Sequence, residues 1–79
     1  MTRIEFLRKE IELTQSQFAR QIGESQCNIS QIERGIRKPW PRVRKAISDA
    51  LGVSEVDLFD PKGSPLLVDW QLPRRKEVV

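Results

Sequence analysis

The stretch Thr14-Gln15-Ser16-Gln17-Phe18-Ala19-Arg20-Gln21-Ile22-Gly23-Glu24-Ser25-Gln26-Cys27-Asn28-Ile29-Ser30-Gln31-Ile32-Glu33-Arg34-Gly35 decides the fold. Thr14 followed three residues later by Gln17 has the form of a capping box, in which hydroxyl and side-chain amide satisfy each other's free backbone donors. Leu13 before that cap and Phe18 after it are spaced to close a hydrophobic staple. Phe18, Ala19 and Ile22 then form one apolar face, and Gly23 ends the helix by taking the left-handed conformation that other residues resist. Only Glu24 separates this glycine from a second cap, Ser25, after which Ile29 and Ile32 mark the buried side of another helix that stops at Gly35. The sequence therefore predicts two short helices meeting at a tight corner. The small Ala19 stands where the two must approach closely.

The same signals recur on either side. Thr2-Arg3-Ile4-Glu5 is a second capping box, so a helix is expected from Arg3 to about Glu10 or Ile11, with Ile4, Leu7 and Ile11 inward and Phe6 partly exposed. Pro39-Trp40-Pro41 breaks the chain. Pro41 suits a first helical position, and Val43, Ala46, Ile47, Ala50 and Leu51 form the inward stripe of a fourth helix closed by Gly52. Ser54 is expected to cap a last short helix, with Glu55 and Asp57 in its first turn and Val53 stapled to Leu58, ending near Asp60-Pro61. The expected fold is all-α, a compact five-helix domain over residues 1–60, followed at 61–79 by an extended arm or strand.

Composition narrows the function. A chain of 79 residues is the size of one small domain and leaves little room for a large cleft. With 38 % hydrophobic and 32 % charged residues it has enough aliphatic side chains for one core. One cysteine, Cys27, makes neither an internal disulfide nor a cysteine-rich zinc site, and there is no histidine or tyrosine, so the commonest general base is missing. No enzyme and no cofactor is expected. The sequence has neither a membrane-length apolar run nor a secretory signal, which gives the expectation of a cytoplasmic protein. The net charge of +3 is unevenly placed: residues 25–45 carry Arg34, Arg37, Lys38, Arg42, Arg44 and Lys45 against Glu33 alone. That basic segment includes the second helix of the corner. The spacing of Phe18, Ile22, Ile29 and Ile32 is that of a helix-turn-helix, whose second helix enters the major groove of DNA.

Taken together, Leu13-Thr14-Gln15, Phe18-Ala19, Ile22-Gly23, Ile29-Ser30-Gln31-Ile32-Glu33-Arg34-Gly35, Pro39 and Ala50-Leu51-Gly52-Val53-Ser54 resemble the XRE family of Cro/cI-type regulators. The resemblance covers residues 3–59. It implies a lambda-repressor-like five-helix domain that binds operator DNA as a two-fold dimer on a palindromic site. Trp40 departs from the pattern, standing where a small capping residue is commoner, and residues 60–79 have no counterpart in the shared core.

At 100° per residue, the side of the third helix opposite Ile29 and Ile32 is centred on Cys27 and Arg34, with Ser30 and Gln31 beside them and Gln26 and Asn28 on its flanks. Amides pair with adenine edges and guanidinium with guanine. The resemblance places base-reading side chains here, so Gln26, Asn28 and Gln31, then Cys27 and Ser30, are the candidate base contacts. Gln15 opens a helix whose free N–H groups attract phosphate, and the resemblance implies the same role together with bracing of Gln26. Arg37, Lys38 and Arg42 follow the reading helix and are the candidate phosphate contacts; Arg34 suits either role. Arg44 and Lys45 are expected in solvent. The resemblance also implies a partly buried ion pair between Arg8 and Glu33.

The apolar run Leu66-Leu67-Val68-Asp69-Trp70-Gln71-Leu72 is open to two arrangements, dimerisation by strand pairing or docking on a partner, or folding back on its own core. The first makes Leu66, Leu67, Val68 and Trp70 a dimer or partner surface. Two function classes remain: a repressor acting as a homodimer on double-stranded DNA, or an antitoxin or interaction module whose C-terminal tail binds a partner protein.

Overall fold

The computed structural model describes residues 1–68, so Trp70 and the basic Arg74-Arg75-Lys76 lie outside the described residues. Five helices follow one another: α1 (Arg3–Glu10), α2 (Gln15–Ile22), α3 (Gln26–Glu33), α4 (Pro41–Leu51) and α5 (Glu55–Leu58). No sheet forms among the described residues, only two isolated antiparallel bridges, Thr2 with Leu67 and Phe59 with Pro65.

The caps explain why the elements start and stop here. Thr14 accepts from the Gln17 N–H at 3.0 Å while Gln17 Oε1 accepts from the Thr14 N–H at 2.9 Å. Ser25 accepts from the Asn28 N–H at 3.1 Å. Each such cap contributes about 1 kcal/mol. Thr2 makes only half of the expected box: its hydroxyl accepts from the Glu5 N–H and donates to the buried Glu33 carbonyl at 3.0 Å, while the Glu5 carboxylate turns outward to Lys9. Ser54 makes no side-chain cap at all. Trp40 does not cap α4 either, which starts instead on Pro41.

Gly23 adopts φ 76°, and its N–H and that of Glu24 return to the carbonyls of Arg20 and Ala19. This paired closure of a helix end turns the chain sharply into α3. The end of α1 uses the same closure, Glu12 to Lys9 and Leu13 to Arg8, yet its left-handed residue is Glu12 at φ 60°.

The core gathers Ile4 and Leu7 from α1, Phe18 and Ala19 from α2, Ile29 and Ile32 from α3, Val43, Ile47 and Leu51 from α4, and Leu58 with Phe59. Ile11, Ile22 and Ala50 are half-buried against it. α2 packs on α3 and α4, and α4 on α1 and α5. Phe59, beyond the last helix, completes the core in extended backbone and was not signalled by any helical spacing.

As far as Val68 the arm lies along its own domain. The Leu66 N–H donates to the Leu58 carbonyl, its carbonyl accepts from Arg3 N–H, and Val68 N–H donates to the Met1 carbonyl. Residues 65–68 thus run antiparallel beside the start of α1. The Leu67 side chain remains exposed.

Candidate nucleic-acid interface

Two polar clusters hold α3, one beneath it and one at its outer N-terminal end. Beneath it, Arg8 and Glu33, only 6 % and 2 % exposed, form a two-pronged ion pair: Nε to Oε2 at 2.6 Å and Nη2 to Oε1 at 3.1 Å. Arg8 also donates to the Leu13 carbonyl, and Gln15 Nε2 donates to Glu33 Oε1 at 3.0 Å. A buried carboxylate requires this many donors, since each unsatisfied oxygen would lose its hydration without return. The same need corrects the expectation that Gln15 braces Gln26: its amide is turned toward Glu33.

Removing Glu33 from the surface leaves the outer face of α3 without a carboxylate of its own. Gln26 and Cys27 are exposed, while Asn28, Ser30 and Gln31 are half-buried along the edges of that face. Arg34, Arg37, Lys38 and Arg42 are all exposed beyond it. Every sequence-predicted base and phosphate residue therefore lies on or beside one surface except Gln15, whose amide points to the cluster beneath.

At the outer cluster, Asn28 is held at both ends. Its Nδ2 donates to Glu24 Oε1 at 2.7 Å, and its Oδ1 accepts from Arg37 Nη1 at 3.0 Å. The other carboxylate oxygen, Glu24 Oε2, lies 3.8 Å from Arg42 Nη2. Glu24 was not singled out by sequence: it stands in the turn just before the Ser25 cap and reaches across the first turn of α3 to Asn28.

Arg44 departs from expectation, and it is not free in solvent. Its Nη1 donates to the Pro39 carbonyl at 3.0 Å and its Nε lies 3.7 Å from Glu55 Oε1, which ties the loop before α4 to α5. Lys45 is exposed, 3.4 Å from Asp49. Trp40 is 76 % exposed on that same loop, between Lys38 and Arg42.

Among the described residues no helix is long and apolar enough to cross a membrane, and no group of three or more His, Cys, Asp or Glu is placed to hold a metal ion. Residues 4–58 match the helix-turn-helix family. The chain is also 42 % identical over 55 residues to the uncharacterized HTH-type transcriptional regulator y4dJ of Sinorhizobium fredii, a similarity that spans 70 % of this chain and 71 % of that protein. A corner closed at Gly23, a second helix presented with its polar side outward and these two similarities agree: the chain belongs to the XRE-type helix-turn-helix family of DNA-binding transcriptional regulators.

Proposed function

We propose that the protein is a sequence-specific repressor that binds a palindromic operator as a homodimer, with α3 in the major groove. The observation that carries this reading is the outer face of α3, whose only carboxylate, Glu33, is sequestered by Arg8 while amide, hydroxyl and thiol groups face outward. Gln26, Asn28 and Gln31 read bases, each good two-point contact being worth about 1–3 kcal/mol of discrimination. Cys27 and Ser30 line the same groove. Arg34, Arg37, Lys38 and Arg42 approach phosphates and supply salt-dependent affinity, and Gln15, its amide held by Glu33, adds a contact through its backbone N–H at the start of α2.

A domain of this size covers one half-site, and a second copy is needed to reach the next, roughly 34 Å along the duplex. The Leu66 carbonyl and Val68 N–H are spent on α1. Contact between copies through Leu66, Leu67 and Val68 is led by Leu67, which is exposed and lies on the edge turned away from α1. Trp70 belongs to the same proposed surface.

Selection of bound sequences from a random duplex pool tests the reading. The expected result is a two-fold symmetric consensus, with Gln31→Ala relaxing the preference at one position of each half-site. Recovery of no consensus at moderate salt, from a protein that does bind duplex at low salt, sinks it.

A further inference from the structure

We propose that Glu24 is a specificity-determining positioning residue, holding the Asn28 amide in one orientation for base reading and keeping non-specific binding weak through its own charge. The inference rests on the DNA-binding reading above.

An asparagine amide has a donating end and an accepting end of nearly equal shape, and it offers two N–H donors and two lone pairs. Its neighbours decide which end is which. Glu24 can only accept and lies 2.7 Å from Nδ2; Arg37 can only donate and lies 3.0 Å from Oδ1. A flipped amide would set its oxygen against the carboxylate and its NH2 against the guanidinium, two repulsive contacts in place of two charge-assisted bonds. After these bonds one N–H and one lone pair remain, one donor and one acceptor in number for a base edge such as adenine's. The Glu24 side chain is only 16 % exposed, so its carboxylate is engaged chiefly by Asn28 and Arg42 rather than by water.

The second effect is one of charge. Glu24 Oε2 lies 3.8 Å from the guanidinium of Arg42, whose side chain is 79 % exposed. A carboxylate beside a phosphate-facing arginine reduces the attraction that every duplex shares, whatever its sequence. Glu24 thus lowers affinity for wrong sites while sharpening the choice of the right one.

Binding of the wild type, Glu24→Gln, Arg37→Gln and Asn28→Ala is measured against the selected duplex and all of its single base-pair variants over a range of salt concentrations. Asn28→Ala identifies the base pair that Asn28 reads. Glu24→Gln, nearly identical in shape, is expected to lower discrimination at that same base pair by about 5- to 10-fold. It is also expected to bind random duplex more tightly than wild type and to steepen the log–log salt slope by up to about 0.9. Arg37→Gln loosens the other end of the amide and is expected to lose discrimination at the same position, with weaker rather than tighter overall binding. The opposite affinity changes of the two variants are a signature that general loosening of the fold would not produce. If Glu24→Gln retains wild-type discrimination and salt slope, or if Asn28→Ala alters no base preference, the proposal falls while the DNA-binding reading stands. If the wild type binds no duplex, both fall.

Discussion

Two glutamates bracket the same helix and do opposite things. Glu33, the last residue of α3, is buried among Arg8, Gln15 and the hydroxyl-bonded end of its own backbone. Glu24, just before its N-cap, sits at the protein's edge among Asn28, Arg37 and Arg42. The chemistry of the two side chains is identical, so depth and partners set the difference: Glu33 is fully buried on a likewise buried arginine, and Glu24 is partly covered beside exposed ones. In the interior a carboxylate fixes the angle at which α3 leaves the core; at the edge it adjusts what the helix displays. Stability is the expected readout of the first cluster and, on the proposed function, binding that of the second.

The largest expected effect comes from splitting the inner pair. Arg8→Ala leaves Glu33 buried without its main partner and is expected to lose about 3–5 kcal/mol, a large part of the 5–15 kcal/mol typical of a small domain. Urea denaturation followed by far-UV circular dichroism reads this directly. Replacing both partners, Arg8→Met with Glu33→Leu, removes the buried charge altogether and is expected to lose less than either single change. A double variant as unstable as Arg8→Ala would mean that packing, rather than desolvation of charge, governs this cluster.

The outer cluster should behave in the reverse way. Arg42→Ala removes an exposed side chain whose pairing with Glu24 is loose, so stability is expected to stay within about 0.5 kcal/mol. DNA affinity should fall alike for every sequence, with the salt slope reduced by about 0.9, as measured by fluorescence anisotropy at several ionic strengths. A loss of stability comparable with that of Arg8→Ala would erase the distinction between the two clusters.

The inner and outer clusters also differ in how readily they could be read from the chain. Thr14, Gly23, Ser25 and Gly52 announced themselves because caps are built from residues three or four apart, within reach of local rules. The Arg8–Glu33 pair spans 25 positions and was suggested only by family resemblance, since no local spacing brings α1 to the end of α3. The bridge from Thr2 to Leu67 and the burial of Phe59 had no helical signature, because extended backbone is fixed by whatever it lies against. Ser54 carried the cap signal and made no cap, which shows the limit of local rules at a helix of one turn. The polar face of α3 was legible from its 100° periodicity. The Glu24–Asn28 bond was not, because Glu24 lies in the turn before the Ser25 cap, where helical spacing does not say which way a side chain points.

A third glutamate tests whether backbone conformation alone shifts stability. Glu12 occupies the left-handed position that closes α1, at φ 60°, where Gly23 closes α2 at φ 76°. Glu12→Gly removes a strain of about 1–2 kcal/mol while adding freedom to the unfolded chain, for an expected net gain of about 0.5 kcal/mol. Thermal denaturation should show a small rise in midpoint and no change in DNA affinity.

The smallest effect is expected at Asp60, whose carboxylate is served by backbone rather than by side chains. Its Oδ1 accepts from the N–H groups of Ser64 and Lys62, both at 2.9 Å. The bond from Ser64 is the chief reason that this carboxyl lies below the ordinary carboxylate range, with Lys62, Gly63 and the Lys38 charge adding smaller contributions. A lowered native pKa means that the contribution is fully present above the unfolded value, near 3.9, and is lost as pH falls through the native one. The turn over residues 60–64 should therefore loosen only in strong acid, and Asp60→Asn should mimic that loosening at neutral pH. Because the turn feeds the extended segment beside α1, the amides of Lys62 and Ser64 should exchange with solvent faster in the variant, followed by that of Leu66. Amides within α2 and α3 should be unaffected, since neither glutamate cluster depends on this turn. Faster exchange in α3 would mean that the C-terminal segment contributes to the presentation of the reading helix, and that the inner cluster does not set its angle alone.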